Sequence, residues 1–197
     1  MAATAALVVA GYLVGAVPTG LVFGKLAGID PRLVGSGRVG ATNTYRALGL
    51  RASIAVALID GAKGALMAYL GRRFGAGELG LAAVVLATVL GQVYSIFLLA
   101  QGGRGVATTG GVTAVLWPLS LLLSLLTGLV AWAWRGRMIS VGSLAAAASL
   151  PVWVFATTLD VRQALLALAL GTLIWWSHRD NLARLRAGTE PTIGQPR

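Results

Sequence analysis

The chain has no cysteine, a single histidine (His178) and only six carboxylates in 197 residues. Without cysteine there can be no disulfide, no thiolate metal site and no cysteine nucleophile. A zinc-type centre wants three or four converging N, S or O ligands, so no metal is expected, nor any other cofactor. Charged residues make up only 11% of the chain against 57% apolar, which excludes an ordinary soluble domain. The charge is also one-sided: fourteen Arg and two Lys leave a net +10. In a soluble chain that balance would suggest nucleic acid. Here it points instead to anchoring at the cytoplasmic membrane surface and to anionic ligands, because Arg grips phosphate bidentately. No nucleic-acid partner is expected.

What the chain has in abundance is apolar runs, at Ala2–Phe23, Ala52–Leu70, Leu79–Leu99, Gly110–Trp134, Met138–Thr157 and Val161–Ser177. About 20 such residues cross a bilayer as a helix. The first run lacks a charged start and continues through Pro18 into motif-bearing sequence, so it is read as a span rather than a cleaved signal. Basic groups follow the first span (Lys25, Arg32, Arg38, Arg46, Arg51) and the last (Arg179, Arg184, Arg186). Arg104 and the Arg135–Arg137 turn lie between. If all face the cytoplasm, the N-terminus is outside, the C-terminus is cytoplasmic and the crossings are odd in number. Gly110–Trp134 must then break near Trp117-Pro118 into two short or tilted helices. A single helix there would give six spans, and Arg72 and Arg73 stand against the rule in either scheme. The expected fold is all-α, a polytopic bundle of about seven transmembrane helices. Residues 1–190 read as one membrane domain, followed by a flexible cytoplasmic tail at 191–197.

Three polar segments interrupt the apolar sequence: Gly35–Arg46, Gln101–Thr109 and His178–Glu190. In the first, Gly35, Gly37 and Gly40 permit close backbone approach. Thr42 or Asn43 is expected to cap a helix running on through Leu70. Its free N–H groups, the Ser36 hydroxyl and Arg46 would make a phosphate cradle, against the plainer reading of a capped turn with an anchoring arginine. The second segment repeats the pattern with Gly102, Gly103, Arg104 and Gly105 before hydroxyl caps at Thr108 and Thr109. It does not fit a Walker A loop. Two such loops on one membrane face favour an anion site. Asp60 and Lys63, three apart within a span, should face the bundle interior as a structural ion pair or present the lysine to substrate. Gly61 and Gly64 suit close helix packing. His178 ends the last span as either a base at neutral pH or a structural side chain. Asn181 lies one turn on, and Asn181–Arg186 reads as a surface helix. Asp180 either orients the imidazole or belongs to the solvated face.

All three segments, in this order, resemble the bacterial acyl-phosphate-dependent glycerol-3-phosphate acyltransferases. GSGRVGATNTYR is similar to that family's GSGNxGATNxxR, Asp60–Gly64 to its DxxKG, GGRGVAT to its GGKGVAT, and His178–Glu190 to its HRxNIxRLxxGxE. The resemblance implies an integral membrane enzyme of the bacterial inner (plasma) membrane with its site facing the cytoplasm. Glycerol 3-phosphate would be acylated at its 1-hydroxyl by an acyl phosphate, giving lysophosphatidic acid and phosphate for phospholipid synthesis. It further implies that Ser36, Gly37, Thr42, Asn43, Arg46, Gly102, Gly103, Arg104 and Gly105 hold phosphate groups. His178 and Asn181 would sit at the reacting hydroxyl, supported by Asp60, Lys63, Gln92, Thr108, Arg179 and Glu190. Partners would be the two substrates, membrane lipids and enzymes that supply acyl phosphate. His178 acts as general base, or the acyl phosphate's own oxyanion takes the proton; the resemblance favours the latter.

The chain departs from that pattern at three places. The family's GHxFP is here Gly91-Gln92-Val93-Tyr94-Ser95, Arg38 stands where the motif has Asn, and Arg104 where it has Lys. Gln92 cannot titrate, and Arg104 keeps the charge but changes donor geometry. These departures leave open a non-catalytic or altered-substrate relative that binds an anionic lipid or phosphometabolite. A transporter of a phosphorylated solute would also use intramembrane charges and short helices.

Overall fold

The computed structural model describes residues 2–74 and 77–192, all of whose regular structure is helical. The described residues form two compact units, one ending at Leu116 and the other beginning at Trp117.

The first unit contains α1 (Ala2–Ala16), α2 (Thr19–Leu26), α3 (Ala41–Leu48), α4 (Leu50–Arg73), α5 (Gly77–Val93) and α6 (Val106–Leu116). The first two form one apolar stretch, Ala2–Leu26, long enough to cross a membrane. Pro18 interrupts it, because proline brings no N–H and its ring clashes with the preceding turn. At the interruption the Val17 carbonyl accepts the Thr19 N–H at 3.0 Å and a second hydrogen bond from Lys63 Nζ at 2.6 Å. α1 crosses α5 where Gly15 lies on the Thr88 carbonyl and Gly91 on that of Tyr12. α4 crosses α6 in the same way, with Gly64 on the Thr108 carbonyl and Gly111 on that of Gly61. A β-carbon at Gly15, Gly91, Gly64 or Gly111 would overlap the facing backbone, so the small residues permit these crossings.

Two local expectations are corrected. The helix after the first glycine loop does not continue to Leu70: Gly49, at φ 82° and ψ −175°, divides α3 from α4. Nor does Thr42 or Asn43 cap it, since Gly40 occupies that position without a side-chain cap. Asn43 turns its amide toward the loop instead. Likewise Thr108 and Thr109 lie within the first turn of α6, which begins after Gly105 (φ 78°). Their hydroxyls are buried without partners among the described residues and do not cap the helix.

The second unit contains α7 (Pro118–Trp134), α8 (Ile139–Thr158), α9 (Val161–Ser177) and the short α10 (Arg179–Arg186). The expected break is observed, with α6 ending at Leu116 and α7 beginning at Pro118. On α7 the buried positions are Ser120, Ser124 and Gly128, four apart on one face, while Leu119, Leu122, Leu125, Leu126 and Leu129 are exposed. That reverses the pattern of a water-soluble helix and is the one expected where lipid covers the outside. Polar groups join the helices inside: Ser120 and Thr157 hydroxyls at 2.7 Å, and Trp153 Nε1 donating to Thr127 Oγ1 at 3.0 Å. Asp160 caps α9, accepting the Arg162 N–H at 2.8 Å.

Among the described residues four segments are long and apolar enough to span a membrane: Ala2–Leu26, Leu50–Arg73, Gly77–Leu98 and Ile139–Thr158. Val106–Leu116, Pro118–Trp134 and Val161–Ser177 are shorter apolar helices. The tail expected from residue 191 lies, from residue 193 onward, outside the described residues.

The glycine crossing of α4 and α6 can be tested directly. Gly111→Leu should lower the thermal midpoint by about 5–10 °C, the effect of an overpacked contact of roughly 1–3 kcal/mol. Gly110→Ala, where a β-carbon meets nothing within 4 Å, should change it little. Thermal unfolding in detergent or bilayers distinguishes the two.

Candidate active site

The first glycine loop is shaped from behind by Asn43, buried in the first turn of α3. Its Oδ1 accepts the Ser36 N–H at 2.9 Å, and its Nδ2 donates to the carbonyls of Pro31 (2.7 Å) and Arg38 (2.8 Å). Gly35, at φ 57°, has no room for a side chain: a β-carbon there would stand 3.0 Å from Arg46 Cδ. Arg46 therefore lies along the loop. Val39 fixes the far side by packing with Leu21 and Leu98. Since Asn43 is occupied by three loop groups, the first N–H groups of α3 are left as donors at the helix start.

The second loop, Gln101–Gly105, follows two consecutive non-glycine residues in the left-handed region, Leu99 (φ 48°) and Ala100 (φ 68°). That conformation costs roughly 1–2 kcal/mol per residue, and the surrounding contacts hold it. Gly103 N donates to the Gln92 carbonyl at 2.8 Å and Gly102 N to that of Val93 at 3.2 Å. The two loops abut: a β-carbon on Gly40 would lie 3.7 Å from Gly103 Cα and 3.9 Å from Arg104 N. The two glycine segments that sequence reasoning singled out are thus brought together within one unit, with Ser36, Gly37, Thr42 and Arg46 on one loop and its helix and Gly102, Gly103, Arg104 and Gly105 on the other.

Close to this second loop lies a buried polar cluster. Asp60 (3% exposed) and Lys63 (7%) form an ion pair at 2.7 Å. Thr19 Oγ1 donates to Asp60 Oδ1 at 2.8 Å and Gln92 Nε2 to Asp60 Oδ2 at 2.9 Å, while Lys63 Nζ also donates to Gln92 Oε1 at 3.3 Å. Of the two readings of the lysine, the observed contacts are those of an internal structural pair. Sequence reasoning missed Thr19 and the Val17 carbonyl. The signal was present in Pro18, which exposes a carbonyl and places a hydroxyl residue at the restart of the helix. Thr108 belongs to the α4–α6 crossing.

In the second unit, His178 (2% exposed) is both the last cap of α9 and the first residue before α10. Its Nδ1 lies 2.8 Å from the Ile174 carbonyl oxygen. A carbonyl only accepts, so Nδ1 carries a proton, and in the neutral ring the lone pair is on Nε2. Asn181 is held one turn away: its Nδ2 donates to Glu190 Oε1 at 2.6 Å, while Arg184 Nε donates to Glu190 Oε2 at 2.8 Å. The same logic fixes this amide, because a carboxylate can only accept from the NH2 group. Among the described residues Asn181 Oδ1 is left buried with no partner. Arg184, which sequence reasoning placed on a surface helix, is thus part of this clamp. Arg179 lies on the outer side, its guanidinium 5.9 Å from the exposed Trp176 ring. Burial alone would raise the Glu190 carboxyl; hydrogen bonds from Asn181 and Arg184 and the arginine's charge outweigh it and hold the group below its ordinary value. Among the described residues no three His, Asp or Glu side chains converge as a metal site would require.

Residues 5–188 match the protein-family model described as glycerol-3-phosphate acyltransferase. A glycerol-3-phosphate acyltransferase of Symbiobacterium thermophilum is 40% identical over 98% of this chain and 96% of its own length. That of Geobacter sulfurreducens is 44% identical over 91% and 92%. Among solved structures, the integral membrane glycerol 3-phosphate acyltransferase PlsY in its glycerol 3-phosphate form is 38% identical. It superposes with a TM-score of 0.91, covering 98% of this chain and 96% of that one. Its lysophosphatidic acid form gives 0.89 at 37% identity.

The Glu190 clamp carries a pH signature. A carboxylate whose folded pKa lies below its unfolded value (about 4.3 for Glu) stabilises the fold above that value. The contribution disappears as pH falls through the lower, folded value. Acidification from pH 6 to pH 3 should therefore lower the thermal midpoint of the second unit, and Glu190→Gln should remove part of that dependence. The remainder includes Asp160, held low by hydrogen bonds from the Gln163 side chain and the Arg162 N–H. All six tryptophans lie at or beyond Trp117, so their fluorescence reports this unit alone.

Proposed function

The chain belongs to the glycerol-3-phosphate acyltransferase family, and from that premise we propose that it transfers a fatty acyl group from an acyl phosphate to the 1-hydroxyl of glycerol 3-phosphate. It is a membrane-embedded acyltransferase by that membership and by its apolar helices; the donor and the residue roles are the proposal. The observation that carries it is the buried Oδ1 of Asn181, which has no hydrogen-bond partner among the described residues, one turn from His178 and on an amide held by Glu190. A desolvated acceptor of this kind costs free energy until a donor reaches it, and the attacking hydroxyl is such a donor.

In the proposed reaction the hydroxyl oxygen bonds to the acyl carbonyl carbon and the bond from that carbon to the phosphate oxygen breaks. The departing phosphate takes the proton, while His178 and Asn181 orient the hydroxyl. Ser36, Gly37, Thr42, Arg46 and the Gly102–Gly105 backbone with Arg104 hold the phosphate groups, and Asn43 acts through the loop that it shapes. Backbone N–H groups and arginines stabilise the charge that develops in the transition state. The proposal takes residues 1–190 as one membrane domain. The products are lysophosphatidic acid and inorganic phosphate.

The proposed setting is the bacterial inner membrane, with seven crossings, the N-terminus outside and the site facing the cytoplasm. Seven apolar helical segments and the basic groups at Lys25–Arg51, Arg104, Arg135–Arg137 and Arg179–Arg186 support it. Enzymes that make acyl phosphate would supply the donor. At Gln92 the amide satisfies both members of the ion pair, so this departure leaves no buried charge without a partner.

The purified protein in lipid should release phosphate from acyl phosphate only when glycerol 3-phosphate is present. Arg46→Ala and His178→Ala should each lower turnover by about 100-fold or more. No turnover with any acyl phosphate, from folded protein, would overturn the donor; full activity in Arg46→Ala would overturn the phosphate assignment.

A further inference from the structure

Gln92 is buried in the last turn of α5, where two different demands meet on one residue. On the side-chain end, a carboxylate can only accept and an ammonium can only donate. One orientation of the amide answers both, and it is the one observed: Nε2 to Asp60 Oδ2 at 2.9 Å and Oε1 from Lys63 Nζ at 3.3 Å. On the main-chain end, the last carbonyls of a helix have no partner within it. Here those of Gln92 and Val93 take the N–H groups of Gly103 and Gly102. The loop also rests on the side chain itself, since a β-carbon on Gly103 would stand 2.8 Å from Gln92 Nε2.

We infer that Gln92 is a positioning residue, joining the Asp60–Lys63 pair of α4 to the Gln101–Gly105 loop and holding that loop in its phosphate-binding form without any dependence on protonation. The inference rests on the reading of that loop as a phosphate cradle. Asp60 and Lys63 are the charged groups that Gln92 meets. α2 brings the uncharged Thr19 to the cluster, and α1 and α6 carry no charged side chain. Arg104 follows Gly103 in the loop itself. A histidine at this position would offer one donor and one acceptor only while neutral. Once protonated, at pH values below about 6.5, it would turn a donor toward Lys63. The amide performs the neutral imidazole's task with no proton to gain.

The test is steady-state kinetics of the full-length protein in bilayers, at pH 6 and pH 8, with acyl phosphate and glycerol 3-phosphate varied separately and each variant compared with wild type at the same pH. Gln92→Leu should raise the KM of one of the two phosphorylated substrates about tenfold at both pH values, with kcat held within about threefold. Gln92→His should recover most of that loss at pH 8 and little of it at pH 6. A Gln92→Leu enzyme with both KM values unchanged, or one that loses only kcat and thermal stability, would overturn the positioning role. A Gln92→His enzyme equally restored at both pH values would overturn the claim that the amide spares the loop a pH dependence that an imidazole would impose. If wild type turned over no acyl phosphate, the donor assignment would fail by itself. Calorimetric binding of glycerol 3-phosphate and of inorganic phosphate would then decide the inference, with weaker binding by Gln92→Leu supporting it and equal binding overturning it.

Discussion

Two opposite charges, Asp60 and Lys63, sit inside a membrane-spanning helix, and much of the first unit is arranged so that neither is left unsatisfied. Removing an ion from water costs several kcal/mol even after relaxation, and the single contact between the pair would not offset that. Their remaining hydrogen-bonding capacity is met by Thr19, the Val17 carbonyl and Gln92. Meeting it draws the proline break between α1 and α2 to the middle of α4 and brings the end of α5 to the same place. Leu21 of α2 then packs with Val39 of the first glycine loop, and the end of α5 supports the second. The position of both loops follows from the need to house one ion pair.

Much of the architecture was legible because it depends on local chemistry. The apolar runs became helices with nearly the expected bounds, and Pro118 took the first position of α7, where a missing N–H costs no hydrogen bond, while Pro151 is carried inside α8. The division at Gly49 was not legible, since an isolated glycine in a helical pattern is usually tolerated and only its positive φ separates α3 from α4. The caps failed for a related reason. Thr42, Asn43 and Thr108 are good capping residues by type, but Gly40 takes the cap position before α3, and neighbours distant in sequence claim Asn43 and bury Thr108. Asn43 has three backbone groups to satisfy, and Thr108 is enclosed where α6 meets Gly64 of α4.

The site shows the same division. The two glycine loops and the His178–Glu190 segment could be singled out because polar residues in an apolar chain need a reason to be there. Their internal logic lies in contacts distant in sequence and could not be read from spacing alone. Glu190 fixes which atom Asn181 presents, and the Ile174 carbonyl fixes the tautomer of His178. In both cases a group that can only accept determines the chemistry of its neighbour. The Gln92 departure looked like a weakness in the sequence; beside Asp60 and Lys63 it is a matched donor and acceptor.

The buried face of α7, with Ser120, Ser124 and Gly128, has a consequence for how this half of the chain can change over time. A soluble protein tolerates substitution on its surface because water accepts almost any polar side chain, and it resists substitution in its core. Along α7 the permissive surface accepts only grease, while the demanding interior is built from the smallest residues. Leucine can exchange with isoleucine or phenylalanine outside, yet a single methyl group added at Gly128 would stand 2.6 Å from the Gly142 carbonyl oxygen of α8 and must push that helix away. Drift in this helix should therefore preserve hydrophobicity on one side and size on the other, two separate ledgers written along one strand of sequence.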